Sequence, residues 1–269
     1  MLNLSSKAFF RLALKWLAII PTIPFLLVSF ALSLYSYWPR DFSKQNSFEI
    51  GDDIEYFTIS AHGVHDSPSS WSDLLQALMQ ESPYTSLLNI KQQNHSLDWE
   101  RHSSNVFICS VAGRKLGVEI GVRLASKINI KGIHAVGHSC GSFVALGICE
   151  GAKSVKANIL VQTTYLDPVS VYSGVFWDYG LHNFGTCADF SDSYIDTRDT
   201  VPGSNLPLAH AFTFDVTKTQ AEQTNHIAPH AWPTMYYLKA FKQQNVPIFY
   251  NNQQQVLARY KKGEFVVLE

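Results

Sequence analysis

The residue types best suited to chemistry centre on Gly137-His138-Ser139-Cys140-Gly141. A β-like run, Gly132-Ile133-His134-Ala135-Val136, precedes them, and an apolar, helix-compatible run, Ser142 to Ile148, follows. G-x-S-x-G between a strand and a helix is the pattern of a nucleophile elbow. A sharp, strained turn pushes the serine hydroxyl out to where a carbonyl can meet it. Glycines two residues either side remove Cβ atoms that would clash as the helix packs against the strand. An ordinary serine in a tight strand–helix turn has the same spelling, so the reading depends on partners elsewhere in the chain.

Serine is a poor nucleophile until a base takes its proton, and the base needs an orienting acid. With an elbow, the acid and then the histidine follow the serine in chain order. Asp167, in Thr164-Tyr165-Leu166-Asp167-Pro168, follows a strand predicted at Ala157 to Val161. Asp196 and Asp199, after the next strand, are the alternatives. His182, His210, His226 and His230 come late enough to be the base. His210 opens a strand, the wrong end for this site, and His182 precedes two further strands. His230, at the start of the last long helix, is the candidate, with His226 the alternative.

The oxyanion formed in such a reaction needs backbone N–H donors. Cys140, immediately after the serine, supplies one. Val64, in the loop Ala61-His62-Gly63-Val64-His65-Asp66, is expected to supply the other, because Gly63 lets that backbone approach. His62 and His65 lack acidic or thiol partners in a metal-binding pattern, so no metal site is expected. His138, Phe176 and Trp177 are candidate substrate contacts. The last two lie in Pro168 to Cys187, a 20-residue stretch without a clear period that carries nine apolar or aromatic side chains. That stretch must pack on the core, lie on a membrane or wall an acyl pocket.

The elements that would hold these residues alternate. Strands are predicted at Ile54–Ser60, Asn105–Ser110, Gly132–Val136, Ala157–Val161, Ser193–Asp196 and Ala209–Val216. Helices are predicted at Trp71–Gln80, at Arg114–Ile128 and after the elbow. A last helix runs Ala231–Phe241 if Pro233 sits in its first turn. Alternation of this kind implies an α/β fold with a mostly parallel sheet flanked by helices. One domain over residues 45–269 accounts for it.

Residues 1–44 differ from the rest. Trp16 to Trp38 is a 23-residue run without a charge, long enough for a hydrocarbon core of about 30 Å. Lys7, Arg11 and Lys15 precede it, which orients a single membrane-spanning helix with its N-terminus in the cytoplasm and the catalytic part outside. A cleaved signal, with Ala31-Leu32-Ser33 as the cut site, would make the protein secreted; a core helix is the third option. Residues 39–53 read as a polar linker.

The net charge is −1 and charged residues are 16% of the chain, so nothing in the balance calls for a nucleic-acid partner. Aromatics reach 13%, which suits a well-filled core or an apolar site. Four cysteines are too few for a disulfide scaffold. Buried free thiols are expected for Cys109, Cys140 and Cys149.

The chain resembles the pancreatic-lipase-like branch of the α/β-hydrolases from about Ser60 to Phe241. The resemblance rests on His62-Gly63-Val64 with Trp71 downstream, Gly137 to Gly141, and Leu166-Asp167-Pro168. Ala188-Asp189-Phe190, and His230 followed by Tyr236-Tyr237, add to it. It favours Asp167 over Asp196 and His230 over His226. It implies an α/β-hydrolase fold and hydrolysis of esters, commonly of lipids, without a cofactor. An acyltransferase or amidase would use the same triad, and a non-catalytic binding protein can share the fold.

Overall fold

The computed structural model describes residues 6–70, 73, 75–77, 91–221, 226–249 and 252–269, with backbone alone for 6–14, 16–19 and 21. The chain divides into two units, Met1–Pro39 and Arg40–Glu269. The first carries helix α1 (Ser6–Tyr37), on which Ile23, Phe25, Leu26, Leu27, Val28 and Phe30 stand exposed. Among the described residues no helix is long and apolar enough to cross a membrane. Within the expected span from Trp16 to Trp38, the side chains of residues 16–19 and 21 lie outside the described ones.

The second unit is built on one sheet. Its described strands are β1 (Tyr56–Ala61), β2 (Gln92–Leu97), β3 (Gly132–His138), β4 (Leu160–Leu166), β5 (Phe190–Ile195), β6 (Phe212–Asp215) and β7 (Phe265–Val267). They lie in the order β2-β1-β3-β4-β5-β6-β7. Every pairing is parallel. Parallel strands need crossovers, and the sequence supplies them as α2 (Glu100–Ser103), α3 (Cys109–Ala125), α4 (Ser142–Val155), α5 (Tyr179–Asn183), α6 (Trp232–Lys242) and α7 (Gln253–Arg259). All seven residues of β3 are buried, as expected for a strand covered on both faces.

Successive strand side chains point to opposite faces. Ile133 and Ala135 of β3 join one core cluster, with Leu116, Ile120 and Leu124 of α3 and Phe143, Val144 and Ile148 of α4. Val136 joins a second cluster, with Tyr194, Phe214 and Tyr237, Leu238 and Phe241 of α6. Helices therefore cover both faces of the sheet. α3 and α4 meet backbone to backbone. A Cβ on Gly117 would lie 2.2 Å from the Val144 carbonyl oxygen, and one on Gly147 would lie 2.1 Å from that of Arg114. Neither contact is physically possible, so the close approach depends on hydrogen at these positions.

Several boundaries differ from the sequence expectation. Val106-Phe107-Ile108, predicted as part of a strand, forms a turn, and Cys109 begins α3. A short apolar run fits strand or helix equally by period. Here the Asn105 side chain accepts the Phe107 N–H at 2.9 Å, and the Asn105 carbonyl accepts from Cys109 at 2.9 Å, starting the helical path. The crossover sheet position falls instead to β2, Gln92–Leu97, whose polar sequence hides its strand character. Only Asn94 and Leu97 of β2 are buried. β4 runs later than predicted, to Leu166.

Of the predicted Trp71–Gln80 helix, residues 73 and 75–77 are helical and the others lie outside the described residues. Residues 40–50 are not a free linker. Phe42 and Ile50 are buried, and the Arg123 guanidinium bonds the Asn46 and Phe48 carbonyls. The expectation of free thiols is also overturned. Cys109 pairs with Cys140, and Cys149 with Cys187. Cα separations of 6.2 and 6.0 Å lie within the disulfide range.

Candidate active site

β1 and β3 are neighbours, and the chain leaves β1 for the outer strand β2 before returning to β3. Sheets of this kind open a crevice at the carboxyl ends of the strands where the order reverses. The loop after β1 holds Gly63 and Val64. The turn after β3 holds Ser139. β3 and β4 end in register, with His138 opposite Leu166, so Ser139 and Asp167 leave the sheet at the same level.

The backbone is strained at this edge. Ser139 has φ +53°, Asp167 +46° and His65 +54°, the left-handed region that costs non-glycine residues about 1–3 kcal/mol each. All three sit just past the ends of β3, β4 and β1. From His138 the chain passes through a 3₁₀ turn, Ser139–Gly141, straight into α4. A Cβ on Gly141 would lie 2.2 Å from the Ala61 carbonyl oxygen, and one on Gly137 would lie 2.5 Å from that of Gly141. This is the steric demand expected of an elbow. Gly63 passes directly over the serine: a Cβ there would lie 2.9 Å from Ser139 Cβ and 3.3 Å from its Oγ.

His230 lies in a 3₁₀ turn, Pro229–Ala231, that leads into α6. Its Nδ1 lies 2.8 Å from Asp167 Oδ2 and 2.8 Å from Asp199 Oδ2. The His230 carbonyl accepts a 3.1 Å hydrogen bond from His138 Nε2, and the two imidazole rings are 5.0 Å apart. His138 precedes Ser139, so this pair seats the His230 turn on the elbow. The loop after β4 closes the other side, where the Val169 N–H reaches the Ser139 carbonyl at 3.4 Å.

The charges follow from these contacts. Burial pushes the Asp167 carboxyl well up, against the pull of His230. Burial also opposes ionisation of Asp199, but the Ser204 hydroxyl, Asp167 and His230 outweigh it and hold that carboxyl low. Burial disfavours imidazolium at His230, yet the two carboxyls raise its pKa above the ordinary value. Burial, with His230 beside it, drops His138 to about 4, so its ring is neutral at pH 7.

Not every expected residue gathers here. Asp196 turns its carboxylate to Arg198, with Nε at 2.9 Å, and meets the site through its backbone: its N–H donates to Asp167 Oδ1 at 3.1 Å and its carbonyl accepts the Asp199 N–H at 3.0 Å. His226 is exposed. His138 faces the His230 turn and Asp66, whose Oδ2 is 3.9 Å from its Nδ1. Cys140 is buried beside the serine and tied to α3 through Cys109.

The stretch after Asp167 divides its apolar residues. Tyr172 and Tyr179 stack at 4.5 Å and pack with Phe143 and Phe184 in the core. Val175, Phe176 and Trp177 project outward, with Phe176 54% and Trp177 65% exposed. Gly174, at the tip of this loop, lies against exposed Phe107.

Sequence reasoning treated Asp167 and Asp199 as alternatives, whereas both reach His230. The signal was present, since an acid follows each of two adjacent strands, β4 and β5. Among the described residues, Asp167, Asp199 and His230 also form the one group whose ligand atoms would suit a metal, lying within 4.8 Å of one another. Each carboxylate oxygen there already has a hydrogen-bond partner. Asp167 Oδ1 takes the Asp196 N–H, Asp199 Oδ1 the Thr200 N–H, and Asp199 Oδ2 the Ser204 hydroxyl. Both Oδ2 atoms meet His230.

No family model matches the chain, and no curated protein matches its sequence. Solved structures that are similar at low identity include two bacterial proteins. One is "the putative cell surface hydrolase from Lactobacillus plantarum WCFS1", at 11% identity and TM-score 0.49, covering 75% of this chain and 96% of that one. The other is the product of gene lin2722 from Listeria innocua, at 14% identity and TM-score 0.45, covering 81% of this chain and 99% of that one.

Proposed function

We propose that this protein is a serine hydrolase of carboxylic esters, lipid esters foremost, from the pancreatic-lipase-like branch of the α/β-hydrolases. The observation that carries the reading is the strained Ser139 turn with a carboxyl-bound imidazole seated on it by His138. With Nδ1 held by the acids, Nε2 of His230 is the nitrogen that moves protons. It takes the Ser139 proton as Oγ attacks the ester carbonyl. The N–H groups of Cys140 and Val64 hold the oxyanion. Nε2 then gives the proton to the leaving alcohol, and water repeats the sequence on the acyl-enzyme. Asp167 keeps His230 in the correct tautomer. The proposal needs no cofactor.

α1 is read as a single-pass membrane anchor for the hydrolase domain, with that domain on the extracytoplasmic side. Two disulfides support this side, because such bonds persist in oxidising compartments. Exposed Phe176 and Trp177 are read as contacts for an acyl chain. Burying apolar area stabilises by about 25 cal/mol per Å², so a longer chain gains more from them. The test uses the full chain in detergent against p-nitrophenyl esters of increasing acyl length. Phe176→Asp with Trp177→Asp is expected to reduce kcat/KM on long-chain esters at least tenfold more than on acetate. Equal loss on both, with a lower Tm, would assign the loop to structure alone.

A further inference from the structure

We propose that Asp199 is a second positioning acid for His230, and that Asp167 and Asp199 share one proton and orient the imidazole as a pair. The proposal rests on the triad reading above and extends it from one acid to two.

The geometry is symmetric. Oδ2 of each acid lies 2.8 Å from the same Nδ1. A neutral imidazole with its hydrogen on Nδ1 has one proton to offer two acceptors. Two ionised carboxylates this close to each other would repel, and one proton between them removes the repulsion. Neither acid reaches the site by chance. Asp167 is fully buried in a left-handed turn, with Oδ1 on the Asp196 N–H at 3.1 Å. Asp199 is also buried, and its own backbone N–H bonds the Asp196 carbonyl at 3.0 Å. Its Oδ1 takes the Thr200 N–H at 2.8 Å, and its Oδ2 takes the Ser204 hydroxyl. One turn, residues 196–204, thus braces both acids.

The surroundings say which acid keeps the proton. Asp199 has two donors from its own turn, the Ser204 hydroxyl and the Thr200 N–H, which favour its carboxylate. Asp167 has one, and burial raises it. Asp167 is therefore the protonated member and donates to Asp199. The charged and titratable groups around them are few. His138, from β3, is held neutral by burial; Asp66 faces His138 rather than the pair; and Asp196 is occupied by Arg198. The pair carries one negative charge through the reaction. When Nε2 takes the Ser139 proton, that single charge faces the imidazolium. When Nε2 passes the proton to the leaving alcohol, the pair is unchanged.

A shared role predicts redundancy. Asp167→Asn, Asp199→Asn and the double variant are compared with wild type by kcat/KM on p-nitrophenyl acetate from pH 5 to 9. Each single variant retains one carboxylate on Nδ1 and is expected to lose about 10–100-fold. The double variant leaves no anion to fix the tautomer and is expected to lose on the order of 10⁴-fold. The acid limb of the pH profile stays in place in each single variant and moves to lower pH in the double, because only there does the imidazolium lose its counter-charge. A purely structural residue would not move that limb. Should one single variant lose the full 10⁴-fold and shift the limb while the other matches wild type, the pair is refuted and the sensitive residue is the sole acid. Serine substitutions at 167 and 199 replace any Asn variant that does not fold. Ser139→Ala, run alongside, separates this outcome from failure of the triad. If Ser139→Ala keeps its turnover, the triad itself is wrong.

Discussion

Gly63→Ala adds a single methyl group above Ser139, the proposed nucleophile, and its consequence can be worked from distances. The new Cβ would lie 2.9 Å from Ser139 Cβ, 3.2 Å from His138 Nδ1 and 3.3 Å from Ser139 Oγ. Carbon–carbon contacts settle at about 3.5–4.0 Å. Either the Gly63 backbone or the Ser139 turn must therefore retreat by about 0.6–1.1 Å. The serine has little room to yield, because Gly141 behind it is already seated against Ala61. The loop is the part that moves, and it carries the Val64 N–H. A displacement of about 1 Å in a catalytic group can cost about 10²-fold, and loss of one oxyanion donor costs about 10²–10³-fold. The expected result is a fall of about 10²–10³ in kcat on p-nitrophenyl acetate, with KM changed far less. Far-UV circular dichroism should stay unchanged. Wild-type kcat in a folded Gly63→Ala protein would show that this loop does not serve the oxyanion.

Three further outcomes follow from other parts of the molecule. Gly147→Ala sets a methyl 2.1 Å from the Arg114 carbonyl oxygen and should destabilise by about 1–3 kcal/mol or more; thermal unfolding should fall by about 2–4 °C per kcal/mol, and an unchanged Tm would deny the close α3–α4 contact. Replacing Cys109 and Cys140 together by serine opens a loop spanning 31 residues and should cost about 3–4 kcal/mol in denaturant unfolding, whereas no change in the midpoint would argue against the bond. Burial pushes the Asp192 carboxyl up to about 7 from 3.8. Between those values the unfolded chain has released a proton that the folded protein keeps, so this group's contribution to stability falls as pH rises. Asp192→Asn should therefore gain on wild type from about pH 4 to 7 and run parallel above. A pH-independent difference in unfolding free energy would contradict that sign.

How much the sequence revealed depended on how local each constraint was. The elbow was legible because its demands, a positive φ at Ser139 and missing Cβ atoms at Gly137 and Gly141, act within five residues. The parallel α/β pattern was legible where strands are buried on both faces, as in β3. It failed at β2, where an edge position lets Gln92 to Ser96 be polar, and at Val106 to Ile108, where a short apolar run suits two structures. The disulfides and the Asp199–His230 contact were hidden for another reason. Cys109 meets Cys140, and Asp199 meets His230, only after long crossovers bring them together. Nothing in either residue's own neighbourhood announces its partner.

The central claim is that Ser139 is a nucleophile activated by His230. It is tested most directly by covalent labelling of the full chain with a fluorophosphonate, followed by mass spectrometry of the labelled peptide. The account predicts stoichiometric phosphonylation at Ser139. It also predicts that labelling disappears in Ser139→Ala and that ester turnover falls by on the order of 10⁶, while the Tm stays within a few degrees of wild type. An unlabelled wild-type protein, or a folded Ser139→Ala protein that still hydrolyses esters at the original rate, would contradict it.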